Sequence, residues 1–301
     1  MTSPSGQSPL DATPLHASCY ADGSEAITAT VLENVQLARD TFRMRIDAAV
    51  IGGRIVPGQF VMVRLAGFDD PMIGRAFALY DVVSNDAGVA TAIDFVYLVH
   101  GKMTTALAAC EPGRQVEVWG PLGNGFTPPA VDNLIMVAGG IGYTPMLALG
   151  KESLGGAKYG EPRRVAPTVG KATLCYGVRT ADLLAGADDF RAAGVDLRIA
   201  SDDGSTGHHG LVTDLLEQVL QETNGQSRLV VCCGPEPMMQ AVAEICIARD
   251  VACRVSLETP MACGIGICFS CVAKVQQPDG EWDYKRTCVE GPVFDAANIV
   301  W

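Results

Sequence analysis

The sequence predicts a small antiparallel β-barrel, then a parallel α/β layer, then a short cysteine-rich end. Three observations carry this reading. Between Ala26 and Pro128, six short runs of β-forming residues follow one another at close spacing, separated by turn residues. Beyond Pro129, apolar runs alternate with helical segments, the pattern of a parallel sheet covered by helices. From Ser256 onward, three cysteines crowd into the stretch Cys263 to Cys271, with Cys288 further on.

Taken in order, residues 1–25 are rich in Pro, Ser and Ala and predict a disordered tail. Residues 26–128 supply the barrel strands "ITATVLENVQ", "TFRMRIDA", "GQFVMVRLA", "AFALYDVVS", "TAIDFVYLV" and "QVEVWGPLG". Residues 129–255 supply the parallel strands "NLIMVAGG", "ATLCYGVR", "DLRIASDDG" and "RLVVCCGP". Residues 256–301 form the cysteine segment. A chain of 301 residues, 48% hydrophobic and 19% charged, suffices for two modest domains and such an appendage.

A net charge of -12, without clustered Lys and Arg, argues against a nucleic-acid surface. The longest apolar stretch, "LIMVAGGIGYTPMLALG", is broken by glycines and Pro145 and falls short of the roughly 20 residues of a membrane helix. Residues 1–26 hold no Lys or Arg, so no secretory leader is expected. The eleven cysteines are then those of a reducing cytoplasm, where clustered thiols bind metal or do redox chemistry.

Four motifs point to chemistry. In "VAGGIGYTPML" a strand runs into Gly139, Gly140 and Gly142, and a helix opens at Thr144 and Pro145. Glycines allow close approach to a phosphate, and free N–H groups at a helix start favour an anion. A ligand-free tight turn would look the same, but the first βα turn of a parallel sheet is where dinucleotides bind. "VVCCGPEPMMQAVAE" places Cys233, Gly234 and Pro235 at the carboxyl end of the last parallel strand, with Cys232 facing the core and Cys233 the ligand crevice. Arg75 stands in an otherwise apolar strand and calls for a partner, either a diphosphate or a surface ion pair. "GKMTTALAAC" offers a second anion-binding helix start at Gly101 and two hydroxyl residues, so two nucleotides are expected.

Cys263, Cys268, Cys271 and the distant Cys288 have the CxxxxCxxC spacing of a plant-type [2Fe-2S] cluster, with glycines that let the loop wrap two irons. A structural zinc is the alternative, but it more often uses paired CxxC or Cys/His knuckles.

"PGQFVMV", "GRAFALYDV", "GPLGNGF", "VAGGIGYTPML", "CGPEPMM", "LETPMACGIGICFSC" and "RTCVEGPVF", in this order, resemble the iron–sulfur electron-transfer subunits of NAD-linked, two-subunit dihydroorotate dehydrogenase, within the ferredoxin-NADP reductase superfamily. The resemblance spans about residues 26 to 301. It implies a flavin-binding β-barrel, a parallel-sheet NAD-binding domain and a C-terminal [2Fe-2S] segment. By the same resemblance, Arg75 meets the FAD diphosphate and Phe77 covers the isoalloxazine, with Ala76 and Ala78 standing where family members carry Pro and Ser. Further flavin contacts fall on Val96, Tyr97 and Leu98, and on Met103 and Thr104, Met103 replacing a glycine. The loss of a hydroxyl at Ala78 alters how the flavin N5 region is bonded. Gly123 and Gly125 shape the turn that closes the barrel.

Hydride from NADH carries two electrons and a [2Fe-2S] cluster accepts one, so a flavin between them is needed. His16, His100, His208 and His209 sit in no carboxylate-bearing motif, and no catalytic acid or base is assigned. The expected function is therefore electron transfer. The resemblance implies a partner, an FMN-containing dihydroorotate dehydrogenase subunit, in a heterotetramer, with NAD as cosubstrate. A related subunit serving ferredoxin, a hydrogenase or sulfur reduction shares all of these motifs. A nucleotide-sensing module with a structural zinc is the reading from a different class.

Overall fold

The computed structural model describes residues 21–160 and 164–301. The expected tail lies outside them as far as residue 20. Ala21–Gly23 form a 3-10 turn, and Ala21 packs on the apolar cluster that holds Cys271 and Cys288, so residues 21–25 of the expected tail are folded.

Each of the six β-forming runs becomes a barrel strand. β1 (Glu25–Ala38), β2 (Thr41–Ile46), β3 (Phe60–Leu65), β4 (Arg75–Ser84), β5 (Ala90–Leu98) and β6 (Gln115–Leu122) close in the order β1-β2-β5-β4-β3-β6, every pair antiparallel. Alternation sorts the side chains. Val61, Val63, Phe77, Leu79, Phe95 and Tyr97 point into the barrel core, whereas Met62, Tyr80 and Val96 point out against other parts of the chain. Two short helices, α1 (Ala49–Arg54) and α2 (Lys102–Ala108), complete the barrel.

The second layer is a parallel sheet. β7 (Asn133–Gly139) is apolar on both faces: Leu134, Met136 and Ala138 enter one core, Ile135 and Val137 the other. That double burial is what a central parallel strand requires. α3 (Met146–Ser153), β8 (Lys171–Val178), α4 (Ala187–Ala192), β9 (Asp196–Ser201), the two-residue β10 (His208–His209), α5 (Val212–Glu222), β11 (Arg228–Cys233), α6 (Glu236–Ala248) and β12 (Ala252–Ser256) follow. The chain leaves β7 outward through β8 and β9, then returns to place β11 on the other side of β7. Strand order reverses between β7 and β11, which opens a crevice at their carboxyl ends.

The cysteine segment adds a hairpin, β13 (Val272–Gln276) with β14 (Trp282–Arg286), and then β15 (Val293–Asp295), which pairs antiparallel with β12 as the last strand of the sheet. The appendage is thus spliced into the α/β layer. Among the described residues no helix is long and apolar enough to cross a membrane.

Polar contacts lock the layers together. Tyr80 Oη donates to Asp189 Oδ2 at 2.6 Å, Tyr159 Oη donates to Asp81 Oδ1 at 2.9 Å, and Lys151 pairs with Asp81. Inside the barrel wall, Asp94 is 3% exposed and accepts from Arg45 Nε and Nη2 at 2.8 and 2.9 Å, while Arg45 Nη1 donates to Glu33. Removing one partner would leave a desolvated charge. Arg45→Met is expected to destabilise the fold by roughly 3 kcal/mol in urea unfolding, and a second change, Asp94→Leu, to recover most of it. Equal stability of Arg45→Met and the parent would show that Asp94 does not depend on the pair.

Candidate cofactor cleft and cluster loop

A cavity of about 530 Å³ lies where the barrel meets the β7/β11 crevice, within the range of small-molecule and cofactor sites. β4 lines it with Arg75, Ala76, Phe77 and Ala78, and β5 with Val96, Tyr97 and Leu98. Thr104 and His100 close one side; Thr144, Pro145, Cys233, Leu257 and Glu258 close the other. Of the residues expected at a cofactor, the cavity gathers those from Arg75 to Ala78, Val96 to Leu98, Thr104, Thr144 and Cys233.

Several side chains differ from expectation. Phe77 lines the cavity, and its ring also stacks on Phe95 at 4.8 Å and 10° in the barrel core, because strand alternation turns residues 77 and 79 inward. Ala76 and Ala78 occupy the opposite face of β4, where their small side chains leave room. Tyr97 likewise points into the core, its hydroxyl bonded to Asn34 at 2.9 Å, so Val96 and Leu98 are the residues of β5 with outward side chains here. Arg75 is not buried in an apolar strand. It sits exposed at the first position of β4 and donates to the carbonyls of Ile73 and Gly74, without an ion pair among the described residues.

Met103 is 1% exposed and belongs to the barrel core, so it replaces glycine by filling the interior and not by facing a ligand. The hydroxyls after Gly101 are spent on their own turn: Thr104 Oγ1 accepts the His100 N–H at 2.7 Å and Thr105 Oγ1 donates to Gly101 O at 2.9 Å. The expected second anion-binding helix start is therefore a seven-residue helix with its hydroxyls engaged.

The glycine turn after β7 opens a 3-10 turn, Gly140–Tyr143, and α3 begins only at Met146 with Pro145 as its N-cap. Gly142 is required by the protein itself: a Cβ there would stand 2.2 Å from the Cys233 carbonyl oxygen. Gly139 similarly faces Met238 and Pro235. Only Gly140, at φ 53°, has open space where a side chain would stand, and it is the glycine best placed for a ligand to approach. Gly234 and Pro235 border an adjoining cavity of about 330 Å³, which shares Leu257, Glu258 and Thr259 with the larger one.

Sequence reasoning missed Glu258. It opens onto both cavities with its side chain still exposed, and partial desolvation between the cavity walls raises its pKa, with Cys233 opposing. Cys233 Sγ lies 3.9 Å from Glu258 Oε1, and burial, reinforced by the carboxylate, pushes that thiol well up. One histidine also has the carboxylate the sequence did not reveal: His208 Nε2 lies 3.1 Å from Asp214 Oδ2.

The four clustered cysteines stand as two pairs, Cys263 with Cys268 and Cys271 with Cys288. Cys268 is exposed, and its thiol is lowered to about 6, first by the Ser270 hydroxyl and then by its amide. Cys271 and Cys288 are buried with Phe60, Met62, Leu122 and Val289; donation from Cys288 lowers Cys271 and raises Cys288. Among the described residues no three His, Cys, Asp or Glu side chains converge on one ion. The CxxxxCxxC spacing with a distant fourth cysteine remains the feature that suits a [2Fe-2S] cluster over a structural zinc.

Comparison with known proteins agrees with this division of labour. Residues 28–126 match the family described as Oxidoreductase FAD-binding domain, 136–244 the Oxidoreductase NAD-binding domain, and 258–300 the Iron-sulfur cluster binding domain of dihydroorotate dehydrogenase B. The chain is 34% identical over 279 residues to the dihydroorotate dehydrogenase B (NAD(+)) electron transfer subunit of Desulforamulus reducens, covering 92% of this chain and 99% of that one. To the subunit of the same name from Bacillus caldolyticus it is 36% identical over 274 residues, 90% and 97% of the two chains. A solved structure of NADH-dependent reduced ferredoxin-NADP oxidoreductase superposes with a TM-score of 0.72 at 27% identity over 91% of this chain and 90% of that one. The ferredoxin reductase of carbazole 1,9a-dioxygenase shares the fold, with a TM-score of 0.61 at 19% identity over 76% and 67% of the chains.

Barrel, sheet and cysteine loop thus define an oxidoreductase with FAD-binding, NAD-binding and iron–sulfur domains. The chain belongs to the family of dihydroorotate dehydrogenase B (NAD(+)) electron transfer subunits.

Cys268→Ser is expected to remove the cluster's iron and visible absorption while FAD stays bound, because none of the four clustered cysteines lines the cleft. A variant that retains two irons per chain and the parent spectrum would remove Cys268 from the ligand set.

Proposed function

We propose that this chain carries electrons between NAD and an FMN-containing catalytic subunit that oxidises dihydroorotate, using FAD in the cleft and a [2Fe-2S] cluster on Cys263, Cys268, Cys271 and Cys288. The assembly is a heterotetramer working in the cytoplasm, and the chain divides functionally at 26–128, 129–255 and 256–301. Family membership supports the reaction. The physical support is Phe60, which borders the cofactor cavity and also packs in the apolar cluster that buries Cys271 and Cys288.

Ala76 and Met261 likewise border both, so the two proposed redox sites share a wall. Bound FAD would accept hydride and pass electrons singly to the cluster. The protein's part is to position the pieces. Gly140 leaves the sheet crevice open to a dinucleotide, and Ala76, Ala78, Val96 and Leu98 make an apolar wall for a flavin. Arg75, without a carboxylate partner among the described residues, stands at the cavity mouth available to a diphosphate. The loop carries its exposed thiol, Cys268, outward with Ile267 and Phe269, both more than half exposed, and this loop is the surface proposed to meet the catalytic subunit.

A second reading, a subunit serving ferredoxin, is favoured by the superposition on the NADH-dependent reduced ferredoxin-NADP oxidoreductase. Reconstitution separates the two. The cofactor-loaded chain alone is expected to reduce artificial acceptors with NADH and to leave dihydroorotate untouched; with a dihydroorotate dehydrogenase B catalytic subunit it should reduce NAD at the expense of dihydroorotate. Activity on dihydroorotate without any partner, or activity with ferredoxin alone, would overturn the proposal.

A further inference from the structure

The cysteine loop rests on the barrel through one side-chain hydrogen bond. Trp119, the fifth residue of β6, donates its indole Nε1–H to the carbonyl of Cys263 at 2.8 Å. No other barrel side chain hydrogen-bonds residues 259–271 among the described residues. The contact is tightly built. Trp119 packs on the apolar cluster of Phe60, Met62, Leu122, Cys271 and Cys288, and a Cβ at Gly264, next to Cys263, would stand 2.6 Å from Met62. Gly264 holds φ 74°, so this close approach is fixed by a backbone that few residues besides glycine adopt.

Trp119 is itself wedged from the cofactor side. A Cβ at Gly74 would lie 2.7 Å from its ring, and Gly74 precedes Arg75 at the mouth of the cavity. On the far side, Arg286 Nη1 holds Gly266 O at 3.0 Å, but Arg286 belongs to the hairpin of the same segment and moves with it. Trp119 is the polar tie between the loop and the flavin-bearing barrel.

We propose that Trp119 is a positioning residue for electron transfer: its indole N–H fixes the first cysteine of the loop, and through it the cluster, against the barrel wall behind the cofactor cavity. The proposal rests on the reading that Cys263 is a cluster ligand. Losing a neutral hydrogen bond of this kind frees the loop to open, by about fivefold in its opening equilibrium. Trp119→Phe keeps an aromatic ring on β6 while removing the N–H donor along with part of the indole's volume.

The test compares Trp119→Phe with the parent and with Trp282→Phe, which alters an exposed hairpin tryptophan away from the loop. The measurements are iron content, the electron paramagnetic resonance of the reduced cluster, the rate of iron loss to a chelator, and the flavin-to-cluster transfer rate after rapid mixing with NADH. Trp119→Phe should hold two irons as purified, lose them about fivefold faster to the chelator, show a broadened resonance and transfer electrons more slowly; Trp282→Phe should match the parent. If Trp119→Phe does not fold, Gly74→Ala, which pushes the ring aside, should give the same changes. Chelation, resonance and transfer rate all unchanged in folded Trp119→Phe or Gly74→Ala would overturn the positioning role. Cys263→Ser with two irons and the parent resonance would instead overturn the ligand reading beneath it.

Discussion

Asn124 ties the barrel to the C-terminal segment, whose last strand joins the parallel sheet. Its N–H donates to Gly291 O at 2.7 Å, its side-chain amide donates to Val293 O at 2.8 Å, and its Oδ1 accepts from Val293 N at 3.1 Å. Asn124 belongs to the loop that closes the barrel, and Val293 begins β15 at the edge of the parallel sheet. A barrel loop therefore behaves as a partner strand for the C-terminal segment. This splice adds to the shared wall at Phe60 in fixing the cofactor cavity relative to the buried cysteine pair.

The arrangement accounts for why so many groups at the seam are specified by packing and not by ligand chemistry. Gly142 and Gly139 let the ends of β7 and β11 meet, and Phe77 and Met103 fill the barrel. What remains for a ligand is backbone, small side chains and a few polar groups: Ala76, Ala78, Gly140, Thr144, Arg75 and the Cys233–Glu258 pair. A site of this kind binds through shape and main-chain groups, and it suits a cofactor that brings its own chemistry.

Much of this was legible from the residues. The six barrel strands announced themselves by alternation and turn spacing, β7 by its double apolar character, and the cysteine loop by its spacing. What the sequence hid has physical reasons. β15 is three residues long and gains its strand character only by pairing with β12. Phe77 carries a motif-like position, but which face of β4 it takes depends on register, and a shift by one residue would exchange it with Ala76. Glu258 gives no local signal because its environment is made by strands distant in sequence. Trp119 is silent for the same reason, its partner lying at Cys263.

The central claim is that electrons from NADH reach the cluster only by way of a flavin in the cleft. Anaerobic mixing of NADH with cluster-loaded chain, prepared with and without FAD and followed by flavin absorbance and by the resonance of the reduced cluster, tests it directly. With FAD present, flavin bleaching should precede the cluster signal; in the FAD-depleted chain the cluster should stay oxidised. Reduction of the cluster by NADH at a comparable rate without FAD would contradict the account.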